Sequence, residues 1–553
     1  MAAGIALAAV LLQAPTGLHA QAAADAGMRA AAATLGAAEL RATVRFLASD
    51  LLEGRAPATR GDALAQAYLA SQLEWLGLEP AGAPGHGFLQ PFELVGVKPS
   101  LPRTVTATAG ARRLSLEIGR DLVAFSGDQR PVSELADVEL VFVGYGITAP
   151  EERWDDYKGA DVRGKVVVVM NDDPARDPAR FGGRARLYYG RYPYKFEEAL
   201  RHGALGVLVL HTEASAGYGW HVVGGSWWRE DFELPREPGR PALVAKGWLA
   251  QAAARRLFAL GGQDLEALRA RAESQDFRAV PLRVRMSLRI ESTLRRRWTA
   301  NVVARLAGWD ASLGEAVVIA AHHDHLGVGD PKKGDGIYNG AWDNASGVAG
   351  VLALARAMKA WPQAPRRSVL FVLTGAEEAG LLGSRHWVGS GLWPPGRVAA
   401  AINVDGLNVW GRTRDLGFVG LGRTSLDAIL ADVARLLGRT LKGDPAPELG
   451  LFYRSDQLSF ARAGIPVVAI EPGHDFIGRP AGWGTHLMET FEAERYHQPQ
   501  DELTDDWDLE GAVEDLRFLL YAARAIADSP TLPAWRRGDE FEAVRAAAVA
   551  PAG

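Results

Sequence analysis

The sequence predicts an α/β fold: a mostly parallel twisted sheet with helices on both faces, interrupted by an inserted β-rich domain. Three observations predict it. From residue 299 onward, short apolar runs alternate with longer helical patterns: TANVVARL, EAVVIAAHHD, GVAGVLALARAMKA, RSVLFVLTGAEE, VAAAINVDG, SLDAILADVARLLG, IPVVAIEPG and LRFLLYAARAIA. Continuous Val, Ile, Leu and Ala runs suit strands buried on both faces, and their alternation with helices suits parallel crossover connections. Between about 134 and 292 the pattern changes to LADVELVFVGYGI, VRGKVVVVMNDD and ALRHGALGVLVLHT, β-rich runs punctuated by glycine with one helix in KFEEALRHG. Finally, 553 residues with 48% hydrophobic content exceed what one core organises and suggest roughly two to four domains.

The chain begins with GIALAAVLLQAPTGLHAQAAADA, an apolar run closed by small residues at Leu18-His19-Ala20, which suits a signal peptide over 1–20 and cleavage before Gln21. A periplasmic or secreted protein is expected. No other stretch is long and apolar enough to span a bilayer, so no transmembrane anchor is expected. The absence of cysteine excludes a lipoprotein anchor and a disulfide scaffold, and it restricts any metal site to histidine and carboxylate ligands. The next segment, 36–133, reads as the first part of the main domain. Within it Val44 to Leu78 carries helical spacing of Leu64, Ala67, Tyr68, Leu69, Leu73 and Leu76, closed by Gly77. The inserted domain is assigned to 134–292, the second part of the main domain to 293–530, and a C-terminal tail to 531–553. With 61 basic and 66 acidic residues spread along the chain, no basic block is present to grip phosphates, which argues against nucleic acid as a partner. Oligomeric state is not legible.

In an open parallel sheet the loops leaving the carboxyl ends of the strands converge on one crevice. Here five of them carry a histidine or carboxylate: His322, His323, Asp324 and His325 after the first run, Asp343 in NGAWDNASG, Glu377 and Glu378 in GAEEAG, Asp405 after AAAINV, and His497 in YHQPQDE. Each has a plain structural reading when taken alone. Asp343 or Ser346 would serve as a helix cap, and the paired glutamates as a dipole-favoured helix start. Asp405 resists this, because an apolar strand delivers it to a buried edge, which is costly without a positive partner. No Arg or Lys is close in sequence to Asp405, Glu378 or Asp343, so divalent cations are the economical countercharge. Two histidines and three carboxylates with one carboxylate to spare suit a two-metal hydrolase, in which a shared carboxylate holds two ions roughly 3.5–4 Å apart and a further glutamate acts as base.

The motifs AHHD, WDNASG, GAEEAGLLGS, INVDG and YHQPQDE, in this order, resemble those of the family-28 metallopeptidases, co-catalytic di-zinc exopeptidases that include secreted bacterial aminopeptidases. LASDLLEGR and GLEPAG resemble the opening of that catalytic domain; FVGYGITAP, WDDYKGADVRGKVVVV and HGALGVLVL resemble the protease-associated (PA) domain often inserted in it. The resemblance implies peptide substrates, about two zinc ions per chain, and the following roles. His322 and Asp405 would bind one zinc, Glu378 and His497 the other, and Asp343 would bridge, with a cis peptide to Asn344. Glu377 would be the general base and acid. Asp324 would fix the His322 tautomer, leaving His323 and His325 as packing or rim residues with His325 nearer the site. Tyr496 would donate to the substrate carbonyl oxygen, and Arg454 would bind substrate; Asp456 reads as fixing a loop. A carboxypeptidase of the same fold and a non-catalytic receptor-like protein are the alternatives, the second disfavoured by the presence of every ligand position and Glu377.

Overall fold

The computed structural model describes residues 26–226, 229–332 and 334–550. The expected signal peptide lies outside them. The centre of the main domain is four parallel strands in the spatial order Ser368–Thr374, Ala316–His322, Val398–Val404, Val467–Glu471. Antiparallel neighbours close both sides: the end of Val280–Leu306 beside Ser368–Thr374, and Asp415–Val419 beside Val467–Glu471. Successive residues of one strand feed opposite cores. Val317, Ile319 and Ala321 pack with the helices Gly347–Lys359 and Glu510–Asp528, whereas Ala316, Val318 and Ala320 pack on the other face with Trp387 and Phe460. Burial of both faces is why these strands read as unbroken apolar runs. None of the described helices is long and apolar enough to cross a membrane.

In the inserted module the same continuous sheet carries on, with Val166–Met170 paired in parallel with Gly206–His211, and Gly206–His211 with Ala245–Ala250. The strand Val280–Leu306 joins the two halves. Over its first part every second residue, from Leu282 through Val284, Met286 and Leu288 to Ile290, is at most 3% exposed, the period expected of a strand with one buried face.

Two expectations need correction. The helix over 44–78 is broken: Ala37–Leu47 and Arg60–Trp75 flank the short 3₁₀ segment Asp50–Arg55. Glu53, Gly54, Arg55 and Ala58 all adopt left-handed φ, and a Cβ on Gly54 would lie 2.5 Å from the Tyr338 carbonyl oxygen and 2.6 Å from that of Gly327. Glycine lets this corner press against the hairpin beside the site. The inserted module has more than one helix, since Gln251–Leu260 and Leu265–Ala272 accompany Tyr192–Arg201. The expected limits at 134 and 292 both fall inside strands, Val132–Phe142 and Val280–Leu306, and strands before 134 pair with the module: Leu122–Phe125 with Ala245–Ala250 and part of Thr104–Ala109 with residues 285–287. The segment after 531 is docked: Trp535 and Phe541 are buried, and Arg423 holds Asp539 at 2.8 Å and Glu540 at 2.9 Å.

Candidate metal centre

The strand ends bring the candidate residues together at the carboxyl edge of the sheet. His322 closes Ala316–His322, Asp405 follows Val398–Val404, and Glu377 and Glu378 follow Ser368–Thr374. Asp343 comes from the turn that enters Gly347–Lys359, and His497 from beyond Trp483–Glu494. Two of these positions are held in left-handed backbone without being glycine: His497 at φ 55° and Ala376, immediately before Glu377, at φ 57°. Such conformations persist only where surrounding structure over-determines them.

Asp343 is the centre of the arrangement. Its Oδ1 lies 3.1 Å from His322 Nε2, which is 3.2 Å from Asp405 Oδ1. Its Oδ2 lies 3.0 Å from His497 Nε2, which is 3.3 Å from Glu378 Oε2. One carboxylate therefore faces two separate clusters. Burial alone would raise the Asp343 carboxyl, but His322 and His497 hold it well below the usual range. Burial and the Asp343 charge oppose ionisation of Glu378 as well, yet His325 and His497 bring it down to about 2. Partial burial works against the charged form of His497, but Asp343 and Glu378 push it up to about 10. Glu377 goes the other way: burial, then the carboxylates of Glu378 and Asp405, push it well above the ordinary value against the pull of His322.

A positive ion fits these donors. Ligand atoms of His322, Glu377 and Asp405 all lie within 4.8 Å of one another, as do those of His325, Asp343 and Glu378. His325 Nδ1 is 2.7 Å from Glu378 Oε1, but neither atom has a hydrogen-bond partner, and buried His497 Nε2 also lacks one. Buried polar atoms that converge without bonding each other need a further partner. A tetrahedral zinc site places its ligand atoms about 3.3 Å apart, given zinc–ligand bonds of about 2.0–2.1 Å.

Supporting groups fix this cluster. The Asp343–Asn344 peptide is cis. Asn344 Oδ1 accepts the amides of Gly347 and Gly406, both at 3.0 Å, while its Nδ2 donates to the Val404 carbonyl at 2.9 Å. Asp501 accepts the amides of Trp342 at 2.8 Å and Asp343 at 3.0 Å. Asp324 acts differently from expectation. His322 Nδ1 is 3.2 Å from its backbone carbonyl and 3.8 Å from its carboxylate, which instead accepts the amides of Glu377 at 3.0 Å and Glu378 at 3.2 Å. The carbonyl orients the imidazole, and the carboxylate pins the loop that carries the glutamate pair. His323 and His325 are not at the rim, being at most 1% exposed. His323 Nε2 lies 3.1 Å from Asp62, and His325 faces Glu378 as described. Tyr496 stacks on His497 with ring centroids 4.0 Å apart and is 40% exposed, so it stands at the cleft mouth and not in the core. Asp456 is buried and accepts the Thr374 hydroxyl, tying its loop to a strand end as expected. Arg454 is exposed, between the short helices Leu451–Tyr453 and Gln457–Arg462.

Sequence reasoning missed Arg55. Its guanidinium is fully buried and donates to the carbonyls of His323, Leu47, Asn339 and Gly340 at 2.9, 2.6, 2.5 and 3.1 Å. Burial lowers it to about 10 against the raising charges of Asp324, Asp501, Asp343 and Glu378. Part of the missing countercharge thus comes from a residue some 270 positions away from the ligand motifs, in LASDLLEGR. Asp501 was likewise within reach of a reading that stopped at the histidine of YHQPQDE.

Residues 301–520 match the profile of peptidase family M28. One curated relative, a probable glutamate carboxypeptidase, AMP1, from Arabidopsis thaliana, is 26% identical over 466 residues, which span 74% of this chain but only 58% of that protein. Similar solved structures include an aminopeptidase from Aneurinibacillus sp. strain AM-1, 19% identical, covering 90% of this chain and 96% of that one with a TM-score of 0.44. A zinc aminopeptidase from Bacillus subtilis is 17% identical over 92% of this chain and 97% of that one, with a TM-score of 0.41.

Proposed function

Given that residues 301–520 match the profile of peptidase family M28, we propose that this chain is a zinc-dependent exopeptidase that removes N-terminal residues from peptides, with Glu377 as general base. The division of the Asp343 carboxylate between the His322 and His497 clusters carries this reading. In it, His322, Asp343 and Asp405 hold one ion and Asp343, Glu378 and His497 the other. Zinc, when bound, supplies Lewis-acid polarisation of a peptide carbonyl and makes water a stronger acid. Glu377 takes the proton of the attacking water and returns it to the leaving amine, a role that suits a carboxylate held above its ordinary pKa. Tyr496, stacked on His497, donates to the carbonyl oxygen as charge develops there. The carboxylates around the centre give a free α-ammonium group a binding place, whereas a terminal carboxylate would meet like charge there. The inserted module, read as a protease-associated domain, narrows access and favours short peptides.

The test is metal content by mass spectrometry together with hydrolysis of a free and an N-acetylated peptide. About two zinc ions per chain, loss of turnover on chelation and loss of turnover on acetylation are expected. Equal hydrolysis of the acetylated peptide would remove the aminopeptidase assignment, and activity without any divalent ion would remove the metal chemistry.

A further inference from the structure

Two of the three histidines that follow Ala321 have their partners. His322 belongs to the cluster with Asp405, and His323 Nε2 lies 3.1 Å from Asp62, whose other oxygen accepts the Thr299 hydroxyl at 2.7 Å and the Ala58 amide at 2.8 Å. His325 is different. Its side chain has no solvent exposure, and neither ring nitrogen has a hydrogen-bond partner. The ring is also fixed in place: the His325 amide donates to the Arg55 carbonyl at 3.3 Å, a Cβ on Gly340 would fall 2.5 Å from His325 Cγ, and the His497 ring stands edge-on with centroids 5.7 Å apart. An imidazole locked in the interior without a partner is costly unless something outside the chain completes it.

Its surroundings indicate what that partner is. His325 Nδ1 is 2.7 Å from Glu378 Oε1 and 4.0 Å from Asp343 Oδ2, while His497 Nε2 is 3.3 Å from Glu378 Oε2 and 3.0 Å from the same Asp343 oxygen. Both imidazoles thus address the same two carboxylates. Although 2.7 Å is within hydrogen-bond range, His325 Nδ1 and Glu378 Oε1 are not aligned to bond each other, and both are buried. Two ligands of one ion meet in this way, each aimed at the ion and not at its neighbour. With zinc bonds of about 2.0–2.1 Å, two ligand atoms on one ion can be up to about 4.2 Å apart, and all four separations fall within that limit. The other cluster has a single imidazole, His322, whose ligand atom lies with those of Glu377 and Asp405 within 4.8 Å of one another.

We propose that His325 is a further zinc ligand, so that two imidazoles, His325 and His497, join Asp343 and Glu378 around one ion. This rests on the two-ion centre of the exopeptidase reading above. It makes the two sites unequal. Four protein side chains close a tetrahedral site, as in zinc centres that hold structure, whereas His322, Asp343 and Asp405 leave one position open beside Glu377. Imidazole nitrogen suits zinc, and carboxylate oxygen suits harder ions, so the site with His325 keeps its zinc while the site with His322 exchanges. The open, exchangeable site is then the one at which the substrate is handled.

The experiment replaces zinc by cobalt in the full-length protein and counts, by proton NMR, the solvent-exchangeable imidazole N–H resonances that cobalt shifts out of the ordinary range. Each ligated histidine contributes one. Resonances from His322, His325 and His497 are expected in the unaltered protein, and one fewer in His325→Leu. Only two in the unaltered two-cobalt protein overturn the proposal, whether or not the variant folds. Competition with a chelator gives a second readout: the most tightly held zinc should be weakened in His325→Leu by more than the roughly tenfold that loss of a mere supporting partner costs. Unchanged affinity would overturn the proposal as well. His325→Asn, whose amide can donate to Glu378 but binds zinc poorly, should resemble His325→Leu; restored affinity there would show that His325 only positions Glu378, and the ligand role would be lost. Failure to bind a second ion would count against the two-ion centre instead. In a one-cobalt protein the count still decides, since two shifted resonances support His325 as a ligand and a single one refutes it.

Discussion

Replacing Arg55 by methionine tests whether this buried guanidinium is the keystone of the metal centre. Methionine fills much of the aliphatic stem and supplies none of the donors. Of the four carbonyls that Arg55 serves, Gly340 keeps the amide of Ala345 at 3.2 Å, and those of His323, Leu47 and Asn339 lose a charged donor. A buried acceptor left unsatisfied costs about 1–3 kcal/mol. Taking the lower half of that range, about 1–2 kcal/mol, for three carbonyls gives a loss of about 3–6 kcal/mol, whose upper part belongs to the exceptional end of single substitutions. The assay is urea unfolding of chelated protein followed by circular dichroism, because chelation removes the stabilisation that bound metal adds. Arg55→Lys restores a charge but not the planar fork and should recover only part of the loss. A loss below about 1 kcal/mol for Arg55→Met would refute the keystone role, since even one orphaned carbonyl should cost that much.

Glu377→Gln should retain zinc while lowering kcat by a factor on the order of 10² or more, whereas Glu378→Ala should lose metal; equal metal loss in both would show that base and ligand have been assigned wrongly. Gly347→Ala should abolish activity and reduce zinc content, because its Cβ would lie 2.1 Å from Asn344 Oδ1 and 2.5 Å from the Val404 carbonyl oxygen. Gly389→Ala, whose Cβ would meet nothing within 4 Å, is the matched control. Unchanged zinc affinity in Gly347→Ala would show that Asn344 does not position Asp343.

The strands were legible because their chemistry is local. A run such as Val317-Val318-Ile319-Ala320 is apolar at every position only if both faces are buried, and the structure buries them in two different cores. The candidate ligands were legible for a related reason: a carboxylate or histidine delivered by such a run needs a partner, and five of them in order leave few roles. The helix break at Glu53 to Ala58 was not legible, because its left-handed backbone is imposed by the hairpin at Gly327 and Tyr338, far away in sequence. The pairing of Leu122–Phe125 with Ala245–Ala250 was not legible either, since it forms only after the chain has closed on itself.

By itself, then, the sequence determined the alternation of strand and helix, the restriction to nitrogen and oxygen ligands, and the identity of the residues at the strand ends. Tertiary structure decided how charge is shared among them. It set Arg55 beneath the carboxylates and turned the Asp324 carboxylate toward the Glu377 and Glu378 amides instead of His322. Electrostatic roles depend on distance and burial, and neither can be read from order along a chain.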